Sequence, residues 1–168
     1  MDSAIVRAKA RSWGKDLALL LGAVVAIHLF QTRGVPSGAA PAIESVGLDG
    51  SKLSLAQYRG KPVLVHFWAT WCGVCKQEEP GIIDFAKDHP VLSVAVQSGD
   101  FDKVAAYAQA HHLPYPVVTD PSGQFSDAYG VHAFPTSVIL DGEGRVKFAE
   151  VGYTSELGLR ARLWLAGL

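Results

Sequence analysis

The fold is decided by the stretch Val63-Leu64-Val65-His66-Phe67-Trp68-Ala69-Thr70-Trp71-Cys72-Gly73-Val74-Cys75. Its first half is a run of β-branched and aromatic residues, which predicts a buried strand. The strand should break after Trp68 and deliver Cys72 to the start of a helix. A helix start favours a thiolate there, because its unpaired N–H groups and the helix dipole carry partial positive charge. Two thiols separated by two residues can also close into a disulfide with little backbone movement, so the stretch predicts thiol–disulfide exchange.

Length, charge and cysteine content narrow the class of protein. The 168 residues suffice for one domain and a short extra segment, and the formal net charge of -1 gives no reason to expect a nucleic-acid partner. Cys72 and Cys75 are the only cysteines. A structural disulfide framework would use more of them, and a four-ligand zinc site would need two further ligands at suitable spacing. We therefore expect no resident metal and no cofactor beyond the redox-active disulfide itself.

The N-terminus predicts membrane attachment. Residues 1–16 carry four basic and two acidic side chains, and Leu17 to Phe30 is apolar except for His28. Positive charge before an apolar run predicts that this end stays in the cytoplasm while the rest of the chain is translocated. We therefore expect a cytoplasmic basic tail at 1–16 and a transmembrane signal anchor at 17–32, although the apolar run is shorter than the ~20 residues of a full span.

The alternative to an anchor is a cleaved signal peptide. Ser37-Gly38-Ala39 resembles a small-x-small cleavage site, but it lies several residues beyond the apolar run. By its Gly, Pro and Ala content, 33–41 is a linker, which leaves 42–168 as the folded domain. Both alternatives place that domain outside the cytoplasm, where disulfides persist.

Elements of two kinds alternate along the rest of the chain. Asp49-Gly50 predicts the turn of a β-hairpin within 44–55. Further strands are predicted at 91–96, 137–140 and 146–151, with a short extended piece at 117–119. Helices are predicted from Cys75 to about Lys87, at 102–111 and after Ser155, with a helical turn at 125–129. This order indicates an α/β fold in which helices cover a central mixed β-sheet.

Two motifs carry a resemblance to a known family. Phe67 to Cys75 resembles the active-site signature of the thioredoxin fold, and Ala133-Phe134-Pro135-Thr136 is similar to the loop whose cis-proline faces the two sulfurs in that fold. The leading segment, 48–55 and then 59–65, is similar to the TlpA, ResA and DsbE group of membrane-tethered, extracytoplasmic proteins. The resemblance covers about 41–168. It implies a thioredoxin fold with an N-terminal β-hairpin extension and a domain in the periplasm, held to a bacterial inner membrane by one N-terminal helix.

The resemblance also implies roles for individual residues. Cys72 would attack a protein disulfide, and the more buried Cys75 would resolve the mixed disulfide. Pro135 would be cis and would leave the backbone of Phe134 free to pair with the client chain. The other residues implied in substrate binding are Trp71, Gly73, Val74 and Thr136.

Glu78 and His66 are the candidate proton handlers. A carboxylate at position 78 could raise thiol pKa values and act as base for Cys75. It is as easily a solvated helix residue, and neighbouring Glu79 serves as an ordinary surface residue for comparison. His66 stands where thioredoxins keep a buried aspartate, although a histidine on a buried strand is more often a core residue than a catalyst.

The finer function is predicted from the branch. Trp-Cys-Gly-Val-Cys is most similar to the ScsD-type branch, which is linked with bacterial copper tolerance. A reductant fed by a membrane thiol-electron transporter is the favoured prediction. One alternative is a Cu(I)-binding or delivery module built on the same cysteines. The lack of methionines argues against it, since Met1 is the only one in the sequence. The other is a thiol reductant of cytochrome c maturation, against which we note no central insert of the kind those members carry.

Overall fold

The computed structural model describes the backbone of residues 3–168 and the side chains of residues 16–168 other than that of residue 28. The chain forms two units, a helix α1 (Ser3–Thr32) and a compact domain that runs from Gly34 to Leu168. Most of the predicted basic tail, 1–16, lies outside the described side chains.

The membrane anchor predicted at 17–32 falls within α1. Among the described residues, no helix combines the length and the apolar character that crossing a bilayer requires. The predicted anchor is therefore not supported by the structure.

Eight short strands and four helices build the domain. The strands are β1 (Gly38–Ala39), β2 (Glu44–Val46), β3 (Lys52–Ser54), β4 (Val63–Trp68), β5 (Val91–Val96), β6 (Val117–Asp120), β7 (Thr136–Leu140) and β8 (Arg145–Val151). The helices are α2 (Gly73–Ala86), α3 (Phe101–Ala110), α4 (Gln124–Ala128) and α5 (Glu156–Ala166), with a 3-10 turn at Leu55–Tyr58. Asp100 caps α3 and Ser155 caps α5, each through a side-chain oxygen that accepts a backbone N–H of the first turn.

The main sheet has six strands in the order β1-β8-β7-β4-β5-β6. The central strand β4 is parallel to β5 and antiparallel to β7, and all six of its residues are buried. Alternation sends Leu64 and Trp68 to the face that packs against α2 and α5, whereas Val65 and Phe67 face the other core with Tyr129. The predicted mixed sheet covered by helices is confirmed.

The N-terminal β-hairpin extension is also confirmed. β2 and β3 pair around the turn at Asp49-Gly50, with Glu44 opposite Ser54. The predicted linker at 33–41 differs from what the structure shows, because Gly34 already begins the domain. Gly38 pairs with Val146 at the sheet edge. The sequence does not predict this edge strand, because its pairing partners lie more than 100 residues further along the chain.

Helix α3 and strand β6 lie between β5 and α4. β6 extends the sheet as a parallel neighbour of β5, with Val118 opposite Val94. The sequence prediction treated 117–119 as a short extended piece because four residues between two turns give little periodicity.

Candidate active site

The two cysteines lie where the central strand hands the chain to a helix. β4 ends at Trp68, and Cys72 is the N-cap of α2. Cys72 and Cys75 form a disulfide with their Cα atoms 5.3 Å apart. The backbone N–H of Cys75 donates to Cys72 Sγ at 3.1 Å, so the helix start directs a donor at this sulfur. Such a donor stabilises a thiolate on Cys72 once the bond is reduced.

The loop before β7 faces the same sulfur. The Phe134–Pro135 peptide is cis, and the carbonyl oxygen of Phe134 lies 3.6 Å from Cys72 Sγ. The Thr136 hydroxyl donates to the Ala133 carbonyl at 2.9 Å, which braces the loop from within. Within the described chain, the Phe134 N–H donates to no other group. A client segment could therefore pair with this backbone while its sulfur meets Cys72.

Apolar side chains surround the sulfurs on the outside. Trp71 is 61% exposed, and its indole N–H donates to the Gln97 carbonyl at 3.0 Å. Its ring meets Phe134 edge-on, with 5.9 Å between ring centroids. Val74 is 42% exposed, and Gly73 beside it leaves open space. Of the predicted substrate-binding residues, Trp71, Gly73, Val74 and Phe134 thus form one apolar surface around the disulfide, whereas Thr136 is buried.

Glu78 is buried on the inner face of α2, one turn beyond Cys75. It is 2% exposed, and one carboxylate oxygen accepts the Thr154 N–H at 2.9 Å. The other oxygen has no hydrogen-bond partner among the described residues. Burial raises the pKa of the Glu78 carboxyl to about 7. A carboxyl that can hold or release a proton near neutral pH therefore lies within a helical turn of the buried cysteine.

His66 lies on the same sheet face as Leu64 and Trp68, beneath α2. It is 3% exposed, and its Nδ1 lies 3.1 Å from the Ser137 hydroxyl oxygen on the neighbouring strand. Burial lowers the pKa of the imidazole to about 4, so His66 is neutral at physiological pH. A buried imidazole with so low a pKa is a weak proton acceptor near neutral pH, and Ser137 is its hydrogen-bond partner.

Glu79 is not the ordinary surface residue that the sequence suggested. Its carboxylate accepts the Tyr107 hydroxyl at 2.9 Å and pairs with His111 Nδ1 at 2.7 Å. The rings of Tyr107 and His111 stack with centroids 3.9 Å apart, and Tyr107 also contacts Trp68. This cluster joins α3 to α2 behind the disulfide. The i, i+4 spacing of Tyr107 and His111 was its only sequence signal, because Glu79 lies 28 residues upstream.

We expect Glu79→Ala to destabilise the domain by about 1 to 3 kcal/mol, because it leaves two partners of a mostly buried carboxylate unpaired. Urea unfolding of Glu79→Ala, Tyr107→Phe and the double variant should give a coupling of about 1 kcal/mol. Gln77→Ala, an exposed position on the same helix, is the control. Additive effects of the two changes would contradict the pairing.

The described part of the domain contains no group of three or more His, Cys, Asp or Glu side chains placed to hold a metal ion.

A helix-capping Cys-x-x-Cys disulfide, opposed by a cis-proline loop on a mixed sheet, defines a thiol–disulfide oxidoreductase of the thioredoxin fold. The chain belongs to the redoxin family, whose sequence model matches residues 36–161.

Individual relatives agree with this assignment. A thioredoxin-like protein of Haemophilus influenzae is 34% identical over 155 residues, covering 91% of this chain and 92% of that protein. The thiol-disulfide oxidoreductase ResA of Geobacillus thermodenitrificans is 30% identical over 153 residues, covering 88% of each chain. The crystal structure of a thioredoxin-family thiol:disulfide interchange protein from Chlorobium tepidum matches 79% of this chain and 97% of its own, with a TM-score of 0.69 and 26% identity. The resemblance to the TlpA, ResA and DsbE group is therefore confirmed.

Proposed function

We propose that this protein reduces disulfides of client proteins outside the cytoplasm and receives its electrons from a membrane thiol transporter. The observation that carries the direction is the buried, half-unpartnered Glu78 beside Cys75. A carboxylate there disfavours thiolates and so favours the protonated dithiol. A strong oxidant needs the opposite arrangement, since its reduced form is stabilised as a low-pKa thiolate.

The exchange balances with two electrons and two protons. The Cys72 thiolate attacks one sulfur of the client disulfide, which releases the other client sulfur as a thiolate that takes up a proton. Cys75 then gives its proton to the buried Glu78 carboxylate, one helical turn away, and attacks Cys72 Sγ. The client leaves as a dithiol, and the enzyme is left with the Cys72–Cys75 disulfide for its donor to reduce.

The apolar surface around the sulfurs indicates the kind of client. Trp71, Val74 and Phe134 offer no charge to a docking chain, and the free Phe134 backbone offers one strand-like pairing. Such a surface fits an extended, apolar segment around the client cysteine. Clients of this kind are unfolded or partly folded secreted proteins.

Placement at the membrane is proposed from the sequence of α1 and from the exposure of its described side chains. Basic residues precede the apolar run, and the described apolar side chains of α1, such as Leu20 and Val24, are 65% and 63% exposed. Exposed apolar side chains on the described part of this helix need a cover, which a bilayer or a signal-peptide pathway supplies. This placement is tested by reducing the Cys72–Cys75 disulfide in intact cells and adding a membrane-impermeant thiol reagent. Cysteines that the reagent does not label would contradict it.

The redox state of Cys72–Cys75 in growing cells tests the direction. After acid quenching, free thiols are labelled with a mass-adding alkylator and band shifts are compared. We expect a mostly reduced pair that becomes oxidised when the membrane thiol transporter is deleted. A pair that is oxidised whether or not the transporter is present would contradict a reductant. A strain lacking this protein distinguishes two finer roles. Poor growth on copper would indicate the ScsD-type role, and a low cytochrome c content would indicate the cytochrome-maturation role.

A further inference from the structure

The end of the domain away from the cysteines carries exposed basic and exposed apolar side chains. β4 runs from Val63 to Trp68, and Cys72 follows its far end. At the Val63 end, the β7–β8 turn, the segment before β4 and the last turn of α5 meet around a shallow pocket of about 370 Å³. We define the distal surface as the exposed basic and apolar residues of this end, which also carries the exposed Glu143: Arg59, Lys61, Arg145, Lys147, Trp164, Leu165 and Leu168.

The charge of the distal surface is positive although the whole chain is close to neutral. Arg145 is paired with Asp141 and Glu143, the two acidic residues of the turn. Within the part of the chain that the structure describes, Arg59, Lys61 and Lys147 form no ion pair. Three unpaired cations are thus left at one end of the domain.

Apolar side chains are exposed at the end of α5, whose last residues line the same pocket. Trp164 is 68% exposed and Leu165 is 45% exposed, while Leu163 and Ala166 of the same turn pack inward. Leu168 follows one turn later at the pocket with Lys147. The last turns of α5 therefore present apolar groups on both their inner and outer sides, and the outer ones have no cover within the domain. Tryptophan and leucine beside unpaired lysines are typical of a surface that lies on a bilayer containing anionic lipid.

We propose that the distal surface docks the domain on an anionic membrane surface. Charge selects lipid over a second copy of this chain, because a two-fold contact through the distal surface would face cations with cations. A client protein is a less suitable occupant than lipid, because of where the distal surface lies. A client bound there would be a strand length, about 17 Å, from the two sulfurs, which follow the Trp68 end of β4. Docking by this end would point Cys72 away from the bilayer and leave its apolar surface open to clients.

Vesicle binding by residues 34–168 tests the proposal without α1. A domain of this extent folds alone, as the Chlorobium tepidum protein shows, since 79% of this chain spans 97% of its length. We expect the oxidised domain to sediment with vesicles rich in phosphatidylglycerol, to bind pure phosphatidylcholine weakly, and to lose binding as salt rises. Lys61→Gln and Lys147→Gln should each weaken binding about fivefold, whereas Lys52→Gln, an exposed lysine of β3, should not.

Apolar and oligomeric controls complete the test. Trp164→Ala should reduce binding to anionic vesicles several-fold, and Leu157→Ala, 77% exposed on the first turn of the same helix, should leave it unchanged. Absence of vesicle binding, equal binding to both lipids, or a dimer that Trp164→Ala abolishes in lipid-free ultracentrifugation would each overturn the proposal. Disulfide reductase activity is measured separately on the same variants, so failure of docking and failure of the redox function are distinguished.

Discussion

Cys72→Ser is expected to lower the rate of disulfide exchange by about 10³-fold or more, whereas Cys75→Ser should accumulate stable mixed disulfides with clients. Cys72 Sγ accepts the helix-start N–H and faces the cis-proline loop, so it is the sulfur that a client meets first. Cys75 lies on the inner face of α2 and can act only after that bond has formed. Removing the nucleophile removes the whole reaction, while removing the resolving thiol stops it halfway.

Non-reducing gels of cell extracts, followed by mass spectrometry of the trapped partners, measure the difference. The double variant Cys72→Ser/Cys75→Ser is the control for adventitious disulfides. If Cys72→Ser were the variant that trapped clients, the two roles would have to be exchanged. Circular dichroism of each variant separates loss of chemistry from loss of fold.

Glu78→Gln is expected to stabilise the oxidised protein at alkaline pH by about 2 to 3 kcal/mol and to leave its stability near pH 4 almost unchanged. The folded-state pKa of Glu78 is about 7, above the model-peptide value of 4.5. Between these values the folded state binds more protons than the unfolded state, so the free energy of unfolding falls as pH rises. The stabilisation from a protonated Glu78 is complete below 4.5 and is lost as pH rises through 7.

The glutamine keeps the hydrogen bond from Thr154 and cannot ionise, so its protein should lack this pH dependence. Urea unfolding of both proteins at pH 4, 6 and 8 measures it, with Glu44→Gln, an exposed carboxyl, as the control. Parallel stability profiles for wild type and Glu78→Gln would contradict a raised pKa. The same variant should shift the reduction potential upward, because removal of a carboxylate favours the thiolates of the reduced form.

Local patterns predicted the elements that position the site. The apolar run of β4, the cap at Cys72 and the hairpin turn at Asp49-Gly50 all act over a few residues, so their strand, helix start and turn could be read directly. α3 was predicted at 102–111 and is found at Phe101–Ala110, a one-residue difference at a frayed end.

Long-range partners could not be predicted in the same way. Glu78 and Glu79 are neighbours of one type, yet Glu78 points inward to Thr154 and Glu79 sideways to Tyr107. Which of the two is buried depends on how α2 is rotated against the sheet and α3, and that rotation is set by packing of residues far apart in the chain. Pairing of β1 with β8 depends in the same way on contacts across more than half of the domain.

The reduction potential of the Cys72–Cys75 couple tests the central claim most directly. The purified domain is equilibrated with graded dithiothreitol buffers, and its redox state is followed by the fluorescence of Trp68 and Trp71, which lie beside the disulfide. If the protein is a disulfide reductant, we expect one two-electron transition. Its reduction potential should be nearer to the roughly −270 mV of thioredoxin than to the roughly −120 mV of a strong oxidant such as DsbA. A potential near the oxidising end, or a disulfide that does not titrate, would contradict the account.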